Sequence, residues 1–153
     1  HSTLERIKTF AVEVGKFHTV ATVYSRIEDE VTYYLIEHAG YFERDGYYGY
    51  SDDGERFAFF SHAVLRMIEE KIVDPDVLHS HDWHAGLVSL LSKTVYKNRV
   101  KEMFTIFTIH NLLYQGVFSY EMLESCVGLG NDWYYDGRLR FKHGISFMKA
   151  GIA

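Results

Sequence analysis

Cysteine and proline are nearly missing from this chain. Cys126 is the single cysteine and has no partner for an intrachain disulfide, so nothing points to an oxidising compartment. Pro75 is the single proline, which leaves the loops to be stiffened by other means. No apolar run approaches the ~18 residues of a membrane-spanning helix. No apolar h-region or basic n-region follows His1, so no signal peptide is read. Charge of one sign is not concentrated anywhere. Sixteen basic against 21 acidic residues give a net charge of −5. An unpatterned negative surface argues against nucleic acid or an anionic membrane as partner. Also missing are Gly-x-Gly-x-x-Gly and Gly-x₄-Gly-Lys-Ser/Thr phosphate loops, the Gly-x-Ser-x-Gly elbow and an evident Cys–His pair.

What is present reads as globular. The length of 153 residues suits one domain, and 47% hydrophobic with 24% charged residues excludes intrinsic disorder. Aromatic residues reach 16%, a payload that fills cores and also faces sugars. The chain opens at His1 without Met and closes on an apolar, helix-compatible stretch with no stop signal. Those ends are the ones expected of a piece of a larger protein.

Residues 17–24 (FHTVATVY) and 31–37 (VTYYLIE) are β-branched and aromatic, and predict two strands, a candidate hairpin, around a polar 25–30. Residues 41–54 carry three glycines and many aromatics and predict a loop. Asp52-Asp53-Gly54-Glu55 has capping-box spacing, and the stripe Phe57, Phe60, Val64, Met67, Ile68 predicts a helix to about Glu70. Residues 76–81 predict a short strand, and Leu87, Leu90, Leu91 and Val95 the next helix. Residues 104–109 (FTIFTI) predict a strand covered on both faces. Ser119 can cap a helix through Cys126 that Gly128 ends. A loop over 128–139 and a helix from Ile145 complete the chain. This alternation predicts an α/β fold with a parallel sheet, whose ligands bind beyond the carboxyl ends of the strands. Unusual chemistry follows three predicted strand ends, at 37–48, 79–86 and 110–116.

His79-Ser80-His81-Asp82-Trp83-His84 is the densest cluster. Its three imidazoles and one carboxylate invite a metal, and His79 and His81 share a strand face. The His-x-His-x-Asp-His pattern of metallo-β-lactamase-type hydrolases has its aspartate one place later, and a (β/α)₈ barrel needs about 250 residues. A metal is therefore not expected, and histidines satisfied within the fold are the plainer reading. A metal-dependent hydrolase stays open as the alternative, as does a non-catalytic sugar-binding module. Asp82 can act as an N-cap or face the ligand crevice. His110 and Asn111 leave the next strand where a ligand would bind, and Tyr114 and Gln115 offer groups suited to sugar hydroxyls. Residues 41–50 are either a packed Ω-loop or an aromatic wall beside a carbohydrate cleft.

The words DVLHSHDWHAG (76–86), FTIHNLLYQG (107–116), YFERDGYYGY (41–50) with DGERF (53–57), and ISFMKAGI (145–152) together resemble the bacterial glycogen synthase and plant starch synthase family. The resemblance runs in order over nearly the whole chain. It implies a retaining glucosyltransferase of the GT-B type, two Rossmann-like domains with the site in the cleft between them. Such an enzyme extends an α-1,4-glucan acceptor from the donor ADP-glucose without a further cofactor. Residues 1–153 would be most of the N-terminal domain. The family's Lys-x-Gly-Gly loop and the C-terminal domain, a partner for this one, are not in this sequence. Localisation would be cytoplasmic, or plastidial in a plant. By motif, Asp82 and His110 would be catalytic: Asp82 lining the sugar site, His110 hydrogen-bonding the donor glucose near its anomeric carbon. Trp83 would lie on the acceptor side, and Asn111, Tyr114, Gln115 and Gly116 would shape the pocket, with Tyr41 and Arg44 as further substrate contacts. The family often has Asn where Ser146 stands.

Overall fold

The computed structural model describes residues 3–153. Three strands, β1 (Glu5–Val14), β2 (Phe17–Glu28) and β3 (Val31–Glu37), form an antiparallel meander in the order β1-β2-β3. The hairpin between β2 and β3 is as expected, but β2 runs on through residues expected to connect. Its turn is only Asp29-Glu30, both at positive φ, as a two-residue hairpin of the I′ kind requires. β1 is not predicted by the sequence pattern. Its charged start masks an alternation in Phe10, Val12 and Val14, the three residues that it buries.

A short helix α1 (Ala39–Phe42) enters the expected loop, and α2 (Asp53–Glu69) follows it. Asp52 does not cap α2. Its carboxylate instead receives Arg44 through two bonds of 3.0 and 2.7 Å, while Asp53 turns back onto the amides of Gly49 and Tyr50. The inward face of α2, with Ala58, Phe59, Ala63 and Leu65 all buried, packs on β1.

The parallel sheet consists of two strands among the described residues, β4 (Val77–His81) and β5 (Phe104–Thr108), with His81 opposite Thr108. A 3₁₀ turn over Trp83–Ala85 and helix α3 (Gly86–Lys93) cross between them. α3 is shorter than its apolar spacing suggests and stops before Val95. Beyond β5 lies a small antiparallel sheet of β6 (Val117–Phe118), β7 (Arg140–Phe141) and β8 (Gly144–Ser146). The predicted helix after Ser119 is reduced to a π-type turn, Leu123–Val127, ended by Gly128 at φ 79°. The expected loop after it holds α4 (Asp132–Tyr135).

The last helix, α5 (Phe147–Ile152), starts two residues later than expected, because Ile145 belongs to β8. Ser146 caps it, accepting the Lys149 amide at 3.2 Å. α5 packs against α3, and Gly86 is where they touch: a Cβ there would stand 2.0 Å from the Phe147 carbonyl oxygen. The whole is a mixed α/β fold in which helices α3 and α5 cover one face of the parallel pair, with an antiparallel meander beside it; the other face of β5, expected to be covered, leaves Phe104 and Ile106 exposed.

Candidate functional site

β4 and β5 end side by side, so the residues that follow them are neighbours. Asp82 leaves β4 with φ 55° and ψ 179°, a conformation strained for any residue with a Cβ. Its own amide still continues the sheet by donating to the Thr108 carbonyl at 2.9 Å. The strained turn aims the carboxylate across at the end of β5. There Oδ1 accepts the amides of His110 at 2.7 Å and Asn111 at 3.4 Å. Asp82 thus holds the N-cap position of the helical turn with its backbone, but its side chain does not cap that turn; it ties down the next loop.

The histidines of the cluster are engaged one by one. Nε2 of His79 lies 2.8 Å from Thr108 Oγ1, and Nδ1 of His81 lies 3.0 Å from His110 Nε2. The rings form a ladder, His79 to His81 at 4.2 Å and His81 to His110 at 5.2 Å between centroids. Among the described residues no three His, Cys, Asp or Glu side chains converge as a metal-ligand set. His84 turns the other way. It stacks on Trp83 at 3.9 Å, its Nε2 is shut from solvent without a hydrogen-bond partner, and burial lowers its pKa from the usual 6.5.

The loop 109–116 is shaped by its own side chains. Asn111 Oδ1 accepts the Leu113 amide at 2.9 Å, an Asx-type turn, and Gln115 Nε2 donates to the Leu112 carbonyl at 2.5 Å. The Gln115 and Gly116 carbonyls receive the Met148 and Phe147 amides, and Ser146 Oγ donates to Gln115 O at 3.0 Å. Ser146 is fully buried and joins the loop to α5. Gly116, at φ 58°, lies flat on Trp83; a Cβ would meet that ring at 2.5 Å. Trp83 is 6% exposed, packed among Phe57, His84 and Phe118, so its ring supports the loop from beneath.

Beside these strand ends runs an apolar groove of about 610 Å³, lined by Phe42, Tyr47, Tyr48, Phe57, Phe60 and His84 among others, with His81 at its margin. Tyr48 bridges to the catalytic candidates' loop, its ring 6.3 Å from that of Tyr114, which is half-exposed. Phe57 and Phe60 read from spacing as core stripe, yet they form groove wall; only the packing of α2 against the loop reveals that. The loop 41–50 is held by Arg56, another residue whose role spacing does not show. At 2% exposure, Arg56 pairs with buried Asp53 and donates to the carbonyls of Tyr41 at 2.7 Å and Tyr47 at 3.4 Å.

Two expected substrate contacts lie away from the strand ends. Tyr41 is buried behind Phe42, stacked on His38 at 4.1 Å, with its hydroxyl on Glu55; burial and that carboxylate push its pKa up. Arg44 is engaged by Asp52, lies over the Tyr50 ring, and holds the Asp52 carboxyl below its usual pKa. Asp82, His110, Asn111, Tyr114, Gln115 and Gly116 are brought together; Trp83 lies below them, and Tyr41 and Arg44 are not among the residues lining the groove.

Residues 1–153 match the family model of the starch synthase catalytic domain. A glycogen synthase of Desulforamulus reducens is 38% identical over 149 residues, covering 96% of this chain and 31% of that protein. One from Bacillus cereus (strain B4264) is 40% identical over 147 residues, covering 95% and 31%. The chain thus spans about a third of the length of these curated relatives. The catalytic domain of Starch Synthase IV from Arabidopsis thaliana, solved bound to ADP and acarbose, superposes with a TM-score of 0.85 at 24% identity. That match covers 97% of this chain and 32% of the other, and it shares the fold.

Proposed function

Since the chain belongs to the starch synthase catalytic domain family, we propose that the protein containing it transfers glucose from ADP-glucose to the non-reducing end of an α-1,4-glucan with retention. This chain would be most of the N-terminal domain, one wall of a cleft that a C-terminal domain closes. The observation that carries the reading is the junction of Asp82, His110 and Asn111 at the ends of two parallel strands, beside an aromatic groove. Strand ends of this kind are where open α/β sheets bind ligands. Exposed aromatic rings such as Tyr48 and Tyr114 suit the apolar faces of sugars.

Glucosyl transfer passes through a transition state with positive charge at the sugar carbon, and groups fixed in advance stabilise it at no reorganisation cost. Asp82 already has one oxygen committed to two amides, which holds its charge at the strand end. His110 presents an exposed imidazole from a backbone pinned by that carboxylate. The residues need no cofactor in this scheme; nucleotide sugar and glucan are the partners. The hydrolase alternative is less favoured: among the described residues no three ligand side chains converge, and one ring nitrogen each of His79 and His81 is already held by a protein partner.

The test is a glucan-extension assay on the full-length protein, with ADP-glucose and UDP-glucose as donors. Transfer from ADP-glucose is expected, with His110→Ala lowering kcat by ~10²–10³, the usual effect of removing one fixed polar group. No transfer from either donor, or full turnover by His110→Ala, would refute the assignment.

A further inference from the structure

We propose that His81 is a positioning residue for His110, holding its ring and setting which of its nitrogens carries the proton. The inference rests on the reading of His110 as a group that touches the donor sugar. Two facts of geometry lead to it. First, the His110 backbone is already immobilised by Asp82, so the remaining freedom is that of the ring. Second, the contact closing that freedom is a nitrogen–nitrogen one, Nδ1 of His81 to Nε2 of His110 at 3.0 Å, with the rings 21° from parallel.

A hydrogen bond between two imidazole nitrogens holds one proton, so the two tautomers are interlocked. If His81 donates through Nδ1, His110 accepts at Nε2 and presents an Nδ1–H donor. If His81 accepts, His110 presents a bare Nδ1 acceptor. Either way, the tautomer of His81 is coupled to whether the other ring nitrogen of His110 donates to a sugar hydroxyl or accepts from one, so removing His81 frees that choice. His81 itself is buttressed on its other side by the His79 ring at 4.2 Å, which Thr108 anchors at 2.8 Å. The parallel register supplies the reason for the arrangement. His81 is opposite Thr108, two residues before His110, so the last side chain of β4 reaches the ring that begins the next loop. A histidine kept for packing alone would be buried; His81 is exposed at the groove margin.

The experiment uses the full-length protein and compares His81→Ala, His81→Leu and His81→Asn. The Asn amide can stand where Nδ1 of His81 stands and bond to His110, whereas Ala and Leu cannot. A ring displaced by ~1 Å costs about 10²-fold in rate. Expected are a kcat loss of at least ~10-fold for Ala and Leu with donor KM within about threefold, and recovery of most of it by Asn. In protein labelled with ¹⁵N-histidine, long-range proton–nitrogen spectra should show His110 as one tautomer in the wild type and as a mixture in His81→Ala. Unchanged kcat in His81→Ala, failure of Asn to rescue, or an unchanged His110 tautomer would each overturn the proposal. A wild-type enzyme without glucosyl transfer would refute the proposed function instead, while the tautomer spectrum would still decide the pairing.

Discussion

Asp82 offers a test in which strain and bonding pull apart. Its backbone at φ 55° and ψ 179° lies in a region that only glycine enters freely, at a cost of ~1–3 kcal/mol. Its carboxylate accepts two amides, of which the 2.7 Å bond from His110 is the strong one. A bond to a charged acceptor is worth ~1.5–3 kcal/mol, and partial exposure to water argues for the low end. Asp82→Ala loses the bonds and keeps the strain, so it should destabilise by about 1.5 kcal/mol. Asp82→Gly loses the same bonds but relieves the strain, less ~0.4–1 kcal/mol for the freer unfolded chain. The glycine variant should therefore be more stable than the alanine variant by roughly 0.5–2 kcal/mol. Urea unfolding followed by circular dichroism would show a 1 kcal/mol gap as ~0.5 M between midpoints, for a slope of ~2 kcal/mol/M. In the full-length protein, under the proposed function, both variants should lose most glucosyl transfer, because neither places a charge at the strand end. An alanine variant as stable as the glycine one would refute the strain argument. An active glycine variant would refute the role of the carboxylate.

Arg56→Met should cost ~3–5 kcal/mol, because it strands the buried Asp53 charge and releases two carbonyls of the 41–50 loop. A thermal melt would show it, faster proteolysis within that loop should accompany it, and adding Asp53→Asn should restore part of the loss. His62 is buried between the Tyr96 hydroxyl and the Cys126 carbonyl, and burial lowers its pKa from 6.5 to about 4. The unfolded chain therefore takes up this proton first as pH falls. The stability associated with neutral His62 should be intact above about pH 6.5, decline between 6.5 and 4, and level off below. The full loss is about 3 kcal/mol. Denaturation midpoints against pH should flatten in that window in His62→Gln; an unaltered slope would refute the assignment.

Much of the fold was legible where period and punctuation agree. β3 has the predicted bounds, α2 follows its apolar stripe to within a residue, and Gly128 ends the turn before it. β1 is not legible in the sequence because its inward alternation occupies only the second half of a strand whose first half lies exposed. The capping of α2 is not legible because capping-box spacing cannot tell a carboxylate that bonds an amide from one that meets an arginine. Arg44 lies eight residues away, and only the folded loop brings it to Asp52.

The site divides along the same line. Residue types, order and spacing determined that Asp82 and His110 follow strands, and strands of an α/β sheet place such residues at one end. The words shared with a known family determined which chemistry to expect there. Only the tertiary structure decided that Asp82 binds the amides of the neighbouring loop, that His81 meets His110, and that Trp83 and Tyr41 face inward. The physical reason is that local pattern sets which face of an element is apolar, whereas a side chain's partner depends on which strand lies beside it. β4 and β5 are joined by a crossover of 22 residues, from 82 to 103, so their parallel register pairs residues far apart in sequence, and α3 within that crossover packs on α5 and α2.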